Sequence, residues 1–300
     1  MDLKTEGLLT EQANPATVNI DLLPTAEILR LINDQDKTVA LAVEREIPRI
    51  TAAVDAIAAA VRQGGRLIYI GAGSSGRLGV LDAAECPPTF GVEPGLVIGL
   101  IAGGEAALVR AVEGAEDEAG LALEQLADLE LSGRDVVVGI AASGRTPYVA
   151  AGLKYAKGLG AVTIAVSCSP CSEIESLANL AITPLVGPEV IAGSTRLKAG
   201  TATKLVLNML TTAVMIRLGK VYGNLMVDVR PTNEKLRDRA IKMVAGAAGT
   251  TAGQAAAALE EAGMNAKTAI VMLRCGCPAE EARARLAAAD GFIRKAINQV

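Results

Sequence analysis

From Val43 the apolar positions Val43, Ile47, Ile50, Val54, Ile57 and Val61 recur at intervals of four and three. This periodicity marks one face of a long helix over 43–63, closed by Gly64-Gly65. The pattern then changes. RLIYI at 66–70, LVIGLI at 96–101, VVVGI at 136–140, AVTIAV at 161–166 and LAITPLV at 180–186 are short apolar runs rich in β-branched residues, with helix-compatible stretches between them. Apolar runs that alternate with helices predict a parallel five-stranded sheet with helices on both faces, a three-layer αβα sandwich of the α/β class. A further long helix is predicted over 199–219. Beyond it, segments near 233–245, 251–262, 265–273 and 279–298 are Ala-rich, helical in pattern and joined by Gly or Pro. The expected organisation is therefore a sheet domain with an N-terminal helical extension over 1–231 and a small helical domain over 232–300.

Charge and composition narrow what such a fold does. Lys plus Arg number 29 against 33 for Asp plus Glu, a net charge of −4. That leaves no basic field for nucleic acid and no polybasic face for a membrane, so an anionic ligand must be held by local dipoles and a few cations. The apolar stretch LVLNMLTTAVMI at 205–216 is interrupted by Asn208, Thr211 and Thr212 and is too short to span a bilayer. The first residues show neither a basic start nor a long apolar run, so no secretory signal and a cytoplasmic setting are expected. The chain has no histidine. Ser-His-Asp and Cys-His nucleophile arrangements and histidine metal sites are thereby excluded, and proton transfer falls to Glu, Asp, Lys, Tyr or Cys. The five cysteines read as reduced thiols. Cys168 with Cys171, and Cys275 with Cys277, fit ordinary turns better than a zinc site, and no metal is expected.

Ligands of open parallel sheets bind beyond the carboxyl ends of the strands. There the chain offers Gly71-x-Gly73-x-x-Gly76, the spacing of a dinucleotide-binding turn. The second strand, however, ends in glycines rather than in the acid that would hold a ribose. Cys86-Pro87-Pro88 is also expected to stop the following helix early. What the strand ends do supply is hydroxyls: Ser74 and Ser75 beside Gly73 after the first strand, Ser143 and Thr146 after the third, and Ser194 and Thr195 after the fifth. Any one of them is explained as a helix N-cap. Three such clusters at one sheet edge point instead to a phosphate site built from hydroxyls and helix N-termini. Arg77, Arg145 and Lys198 are candidate cations beside it, though surface salt bridges explain each as well.

The stretches GAGSSGRLGVLDAAECPPTFG, GLIAGGEAALVRAVEGAEDE, DVVVGIAASGRTPYVAAGL, STRLKAGTATKLVLNML and GNLMVDVRPTNEKL closely resemble the N-acetylmuramic acid 6-phosphate etherase family within the sugar isomerase (SIS) fold. The likeness runs nearly end to end, with Ala13 standing where the family often has arginine. The resemblance implies removal of the D-lactyl ether at C3 of the sugar phosphate, leaving N-acetylglucosamine 6-phosphate and D-lactate. Once the ring opens, the ether oxygen lies β to the C1 aldehyde. A carboxylate can then remove the C2 proton, lactate leaves, and water adds to the double bond. The resemblance assigns the acid/base role to Glu85 and a second acidic role to Glu116. It also implies no cofactor and a homodimer. From the residues alone, Glu85 beside the Pro-Pro segment is the better placed acid, whereas Glu113, Glu116, Asp117 and Glu118 form a run that reads equally as a solvated face. A phosphosugar aldose–ketose isomerase and a non-catalytic sugar-phosphate-binding regulator are the alternatives on the same fold.

Overall fold

The structure is a computed structural model that describes residues 9–228 and 234–298. After short 3₁₀ turns, the chain forms α1 (Thr25–Glu44), α2 (Ile47–Arg62), β1 (Leu67–Gly71), α3 (Gly73–Phe90), β2 (Val97–Ile101), α4 (Ala106–Val109), a 3₁₀ turn (Ala115–Asp117) and α5 (Ala119–Asp128). It continues through β3 (Val136–Ile140), α6 (Pro147–Gly158), β4 (Val162–Val166), α7 (Glu173–Leu177), β5 (Leu180–Ile182) and α8 (Lys198–Arg217). A hairpin, β6 (Val221–Tyr222) and β7 (Leu225–Met226), precedes α9 (Glu234–Ala248), α10 (Ala252–Glu261), α11 (Ala266–Cys275), α12 (Ala279–Ala288) and α13 (Ile293–Ile297).

Two compact units emerge. The first takes the described residues up to Ala84 together with Gly95–Thr211; the second takes Glu85–Pro94 and the described residues from Thr212 onward. The expected boundary at 231/232 falls among residues outside those described.

In the first unit the strands lie in the order β2-β1-β3-β4-β5, all parallel. The αβα expectation holds. Successive side chains of a strand face opposite layers. Ile68, Ile70 and Val137 pack with Leu126, Tyr148 and Leu153 of α5 and α6 in one buried cluster. Tyr69 faces the other layer, where α3 lies so close that a Cβ on Gly79 would sit 2.9 Å from the Tyr69 Cβ. The Tyr69 hydroxyl donates to the buried Asp82 carboxylate at 3.0 Å.

Three local expectations change. The helix expected over 43–63 is divided between α1 and α2. Pro48 in the first turn of α2 cannot continue a helix from upstream. The buried Glu46 side chain at the break accepts instead from the Thr183 N–H at 2.9 Å and from Arg49. α3 runs on through Pro87 and Pro88 to Phe90, contrary to the expected early stop. The prolines remove two N–H donors from the last turn, and the Gly91 N–H closes the end on the Pro87 carbonyl at 2.9 Å. The fifth strand is only Leu180–Ile182, because Pro184 follows.

α8 is the one helix among the described residues long and apolar enough to cross a membrane, unlike the shorter apolar stretch read from sequence. Half of that window is buried, and Val206, Leu207 and Leu210 are fully covered, so its apolar face is a core face.

The second unit has its own core, built from residues that include Val244, Leu259, Ile270, Val271, Leu286 and Ile293. Its helices follow the sequence pattern, except that 279–298 splits at Asp290 (φ 51°) and Gly291 (φ 78°), which turn the chain between α12 and α13. α10 opens with a capping box between Thr251 and Gln254.

One buried ion pair sets the entry of the sheet. Asp135, 2 % exposed, accepts from the Arg66 N–H at 2.9 Å and its guanidinium at 3.0 and 3.1 Å, and from the Ser132 N–H at 2.9 Å. Burial alone would raise its pKa, but these hydrogen bonds and the Arg66 charge outweigh burial and hold it below the usual carboxylate range. A depressed carboxylate contributes stability above its unfolded pKa of about 3.9 and loses it as pH falls through the folded value. Asp135→Asn is therefore expected to cost on the order of 3 kcal/mol in urea unfolding at pH 7. The same variant should show a shallower loss of stability than the parent below pH 4; parallel curves would assign the acid sensitivity elsewhere.

Candidate functional site

The strand order reverses between β1 and β3, the point at which such sheets bind ligands beyond the carboxyl ends. Gly71 of β1 is in register with Ile140 of β3. The loops that follow are thus neighbours: Ala72-Gly73-Ser74-Ser75 on one side, Ala141-Ala142-Ser143-Gly144-Arg145-Thr146 on the other. Sheet pairing alone brings these hydroxyl clusters to one place.

Glycine makes both loops possible. Gly73 has φ +51°, which lets α3 begin directly at the strand end. A Cβ on Gly71 would lie 2.7 Å from the Gly76 nitrogen, so strand end and first helical turn touch backbone to backbone. Gly144 has φ +70°, and a Cβ there would stand 2.2 Å from that of Ser172.

Ser74 and Ser75 lie inside the first turn of α3 rather than at its cap, half-buried, where the helix N–H groups have no intrahelical partner. Ser143 Oγ accepts from the Arg145 N–H at 3.4 Å. Thr146 is the N-cap residue of α6, yet its side chain makes no capping bond. The capping explanation therefore does not account for Ser74, Ser75 or Thr146.

The third cluster is built differently. Ser194 and Thr195 lie half-buried before α8, but the N-terminus of that helix already holds an anion belonging to the protein. Glu189, wholly buried, accepts from the Lys198 and Ala199 N–H groups at 2.9 Å each. Lys198 is 2 % exposed, and its ammonium donates to Gln35 Oε1 at 3.1 Å. Burial lowers its pKa, opposed by the charges of Glu189 and Asp36. The same Gln35 oxygen accepts from Asn14 Nδ2 at 2.9 Å, and Asn14 also donates to the Pro188 carbonyl at 3.2 Å. Glu189, Gln35 and Asn14 escaped the sequence reading. An acid ahead of the helix was the available signal for Glu189; nothing local announces the other two.

Glu116 is the middle residue of the 3₁₀ turn Ala115–Asp117, exposed. With Gly73, Arg77, Ala102 and Val112 it lines a cavity of about 190 Å³ beyond β1 and β2. Glu113 lines it too, whereas Asp117 and Glu118 do not. Position thus separates members of an acidic run that spacing could not. Glu85 is exposed on α3, ten residues along the chain from Ser75, and belongs to the second unit. The Pro-Pro turn that was to place it beside the glycine loop does not form. Arg77 donates to the Leu108 and Arg110 carbonyls. Among the described residues no group of three or more His, Cys, Asp or Glu is arranged to hold a metal. Cys168 is buried, which pushes its thiol up to about 12.

Residues 49–157 match the model of the glucokinase regulatory protein N-terminal SIS domain, and residues 116–213 match the SIS domain model. A phosphoheptose isomerase from Francisella tularensis is similar in structure at TM-score 0.48 and 20% identity, over 63% of this chain and 98% of that one. Much closer in sequence is the N-acetylmuramic acid 6-phosphate etherase of Rhizobium rhizogenes, 60% identical over 98% of this chain and 95% of the relative. The enzyme of the same name from Escherichia coli O81 is 58% identical over 99% and 100%. At that identity, over essentially full length, the chain belongs to the N-acetylmuramic acid 6-phosphate etherase family.

Proposed function

We propose that this protein cleaves the D-lactyl ether of N-acetylmuramic acid 6-phosphate by elimination and rehydration, releasing D-lactate and N-acetylglucosamine 6-phosphate. The observation that carries the reading is the convergence at the switch point: Ser75 and Ser143 on adjacent strand ends, with Gly73 and Glu116 lining one cavity beside them. The phosphate takes the hydroxyls of Ser74, Ser75, Ser143 and Thr146 and the free N–H groups of α3. This mode suits a chain of net charge −4, because it draws on dipoles rather than on lysines. Ser194, Thr195 and Lys198 complete the binding set, Lys198 through its hold on the segment before α8.

In the open-chain sugar a carboxylate base removes the C2 proton. The electron pair forms the C2–C3 double bond as the C3–O bond breaks, and a general acid protonates the departing lactyl oxygen. Water then adds its hydroxyl at C3 and a proton at C2. Glu116 serves as the base on the strength of its place in the cavity. Glu85 serves as the acid on the strength of its family motif. The setting is cytoplasmic amino sugar catabolism and cell-wall recycling, with no cofactor, and the protein works as a homodimer. A second copy covers apolar side chains left exposed on the first unit, among them Leu41, Ile47 and Met209.

Four measurements test this reading. Ser75→Ala and Ser143→Ala should each weaken N-acetylglucosamine 6-phosphate binding in equilibrium titration, and unchanged affinity in both would remove the shared phosphate site. Glu85→Gln and Glu116→Gln should each lower turnover about 10²–10⁴-fold while leaving product affinity largely intact. In deuterated water, Glu85→Gln should still exchange the C2 proton and Glu116→Gln should not; the opposite pattern reverses the roles. Light scattering at micromolar protein should give twice the chain mass of 30.7 kDa, and a monomer mass would reject the dimer.

A further inference from the structure

Arg77 was a candidate cation for the phosphate or the lactyl carboxylate, and the structure gives its guanidinium other work. It stands on α3 four residues after Gly73, on the same helical face. Its Nε donates to the Leu108 carbonyl at 3.1 Å and its Nη2 to the Arg110 carbonyl at 3.2 Å. These carbonyls lie at the end of α4, a helix of one turn, where Arg110 is already extended (φ −142°, ψ 158°). Carbonyls at a helix end lack intrahelical partners, and a charged donor bonds them more strongly than a neutral one.

The segment so clasped leads into Glu116. Between α4 and the 3₁₀ turn run Ala111, Val112, Glu113 and Gly114. Few side chains of this stretch are buried. Ala107 and Ala115 are its buried side chains, while Val109 is 88 % exposed and Leu108 and Val112 are exposed as well. The glycine at 103, φ +84°, leaves room for it: a Cβ there would stand 3.0 Å from that of Val112 and 3.2 Å from that of Ala115. Arg77 thus ties the Glu116 segment to the helix whose first turn carries Ser74 and Ser75. Its clasp, Gly73 and Glu116 border the same cavity.

We infer that Arg77 is a positioning residue: by clasping the Leu108 and Arg110 carbonyls it fixes the distance between the Glu116 carboxylate and a sugar whose phosphate is held at the start of α3. The inference rests on the reading of Glu116 as a proton-transfer group. Displacement of a reacting group by about 1 Å costs up to ~10²-fold in rate. A residue that acts only through another should have no effect once that other is removed.

The experiment is a double-mutant cycle with Arg77→Gln and Glu116→Gln, read by steady-state D-lactate release, C2 deuterium exchange and titration with N-acetylglucosamine 6-phosphate. Arg77→Gln is expected to lower kcat roughly 10- to 100-fold. KM and product affinity should stay within about threefold, and C2 exchange should fall in step with lactate release. Added to Glu116→Gln, it should cost less than about twofold more. Full additivity in the cycle overturns the inference while leaving Glu116 in place. A tenfold rise in KM or loss of product affinity with kcat retained also overturns it, making Arg77 a direct ligand of substrate. Near-normal turnover by Glu116→Gln removes the reading of Glu116 and the inference with it. Arg77→Lys keeps the charge without the fork and guards against a variant that fails to fold. It should retain the parent melting temperature yet lose kcat to an intermediate degree, and full activity would overturn the clasp.

Discussion

The backbone contact between Gly71 and Gly76 is the constraint on which the carboxyl edge of the sheet depends. A Cβ on Gly76 would lie 2.6 Å from the Gly71 carbonyl oxygen, and one on Gly71 would lie 2.7 Å from the Gly76 nitrogen. With neither present, α3 starts within two residues of the end of β1 and directs its unpaired N–H groups over the switch point. The adjacent β3–α6 loop then supplies a second hydroxyl set at strand spacing, since β1 and β3 pair in register. Larger side chains at either glycine would push helix and strand apart and dissolve the alignment of the two loops. The same closeness recurs further along α3, where a Cβ on Gly99 of β2 would stand 2.5 Å from the Val80 Cα. α3 is therefore seated on the sheet by absent side chains as much as by present ones.

Two helix ends of the first unit, those of α8 and α3, differ in what stands at their N–H groups. At α8 a buried carboxylate of the chain, Glu189, occupies the N–H groups permanently, and Lys198 beside it is held by Gln35. At α3 no side-chain carboxylate among the described residues takes that place; serines stand within the first turn instead. A helix dipole satisfied internally stabilises the fold, whereas one left open lends its field to whatever anion arrives.

Much of this was legible in the chain. The five strands declared themselves as short β-branched runs, and the hydroxyl clusters stood where topology would bring them together, because pairing and chain order follow from local pattern. What escaped were features decided by distant partners. The division of the 43–63 helix turns on Pro48 and on the pull of the Thr183 N–H upon Glu46, 137 residues away. The passage of α3 through Pro87 and Pro88 runs against the local rule for proline inside a helix, which is the rule that the spacing invoked. Glu113 and Glu116 could not be told from Asp117 and Glu118 until the structure showed which of them line the cavity. Asn14 and Gln35 carry no chemical signature at all; their importance lies in a shared oxygen reached across the fold.

The strap formed by the N-terminal segment has a consequence for how the chain is made. Asn14 donates to the Pro188 carbonyl and Thr17 to the Val190 carbonyl, partners 174 and 173 residues later. At a synthesis rate of about 5–20 residues per second, roughly 10–35 s pass between the emergence of the two halves of each bond. The segment around Asn14 and Thr17 is thus among the last to be fastened. Until Pro188 and Val190 have left the ribosome neither bond can form, and the turn at Pro15–Thr17 has nothing to close upon.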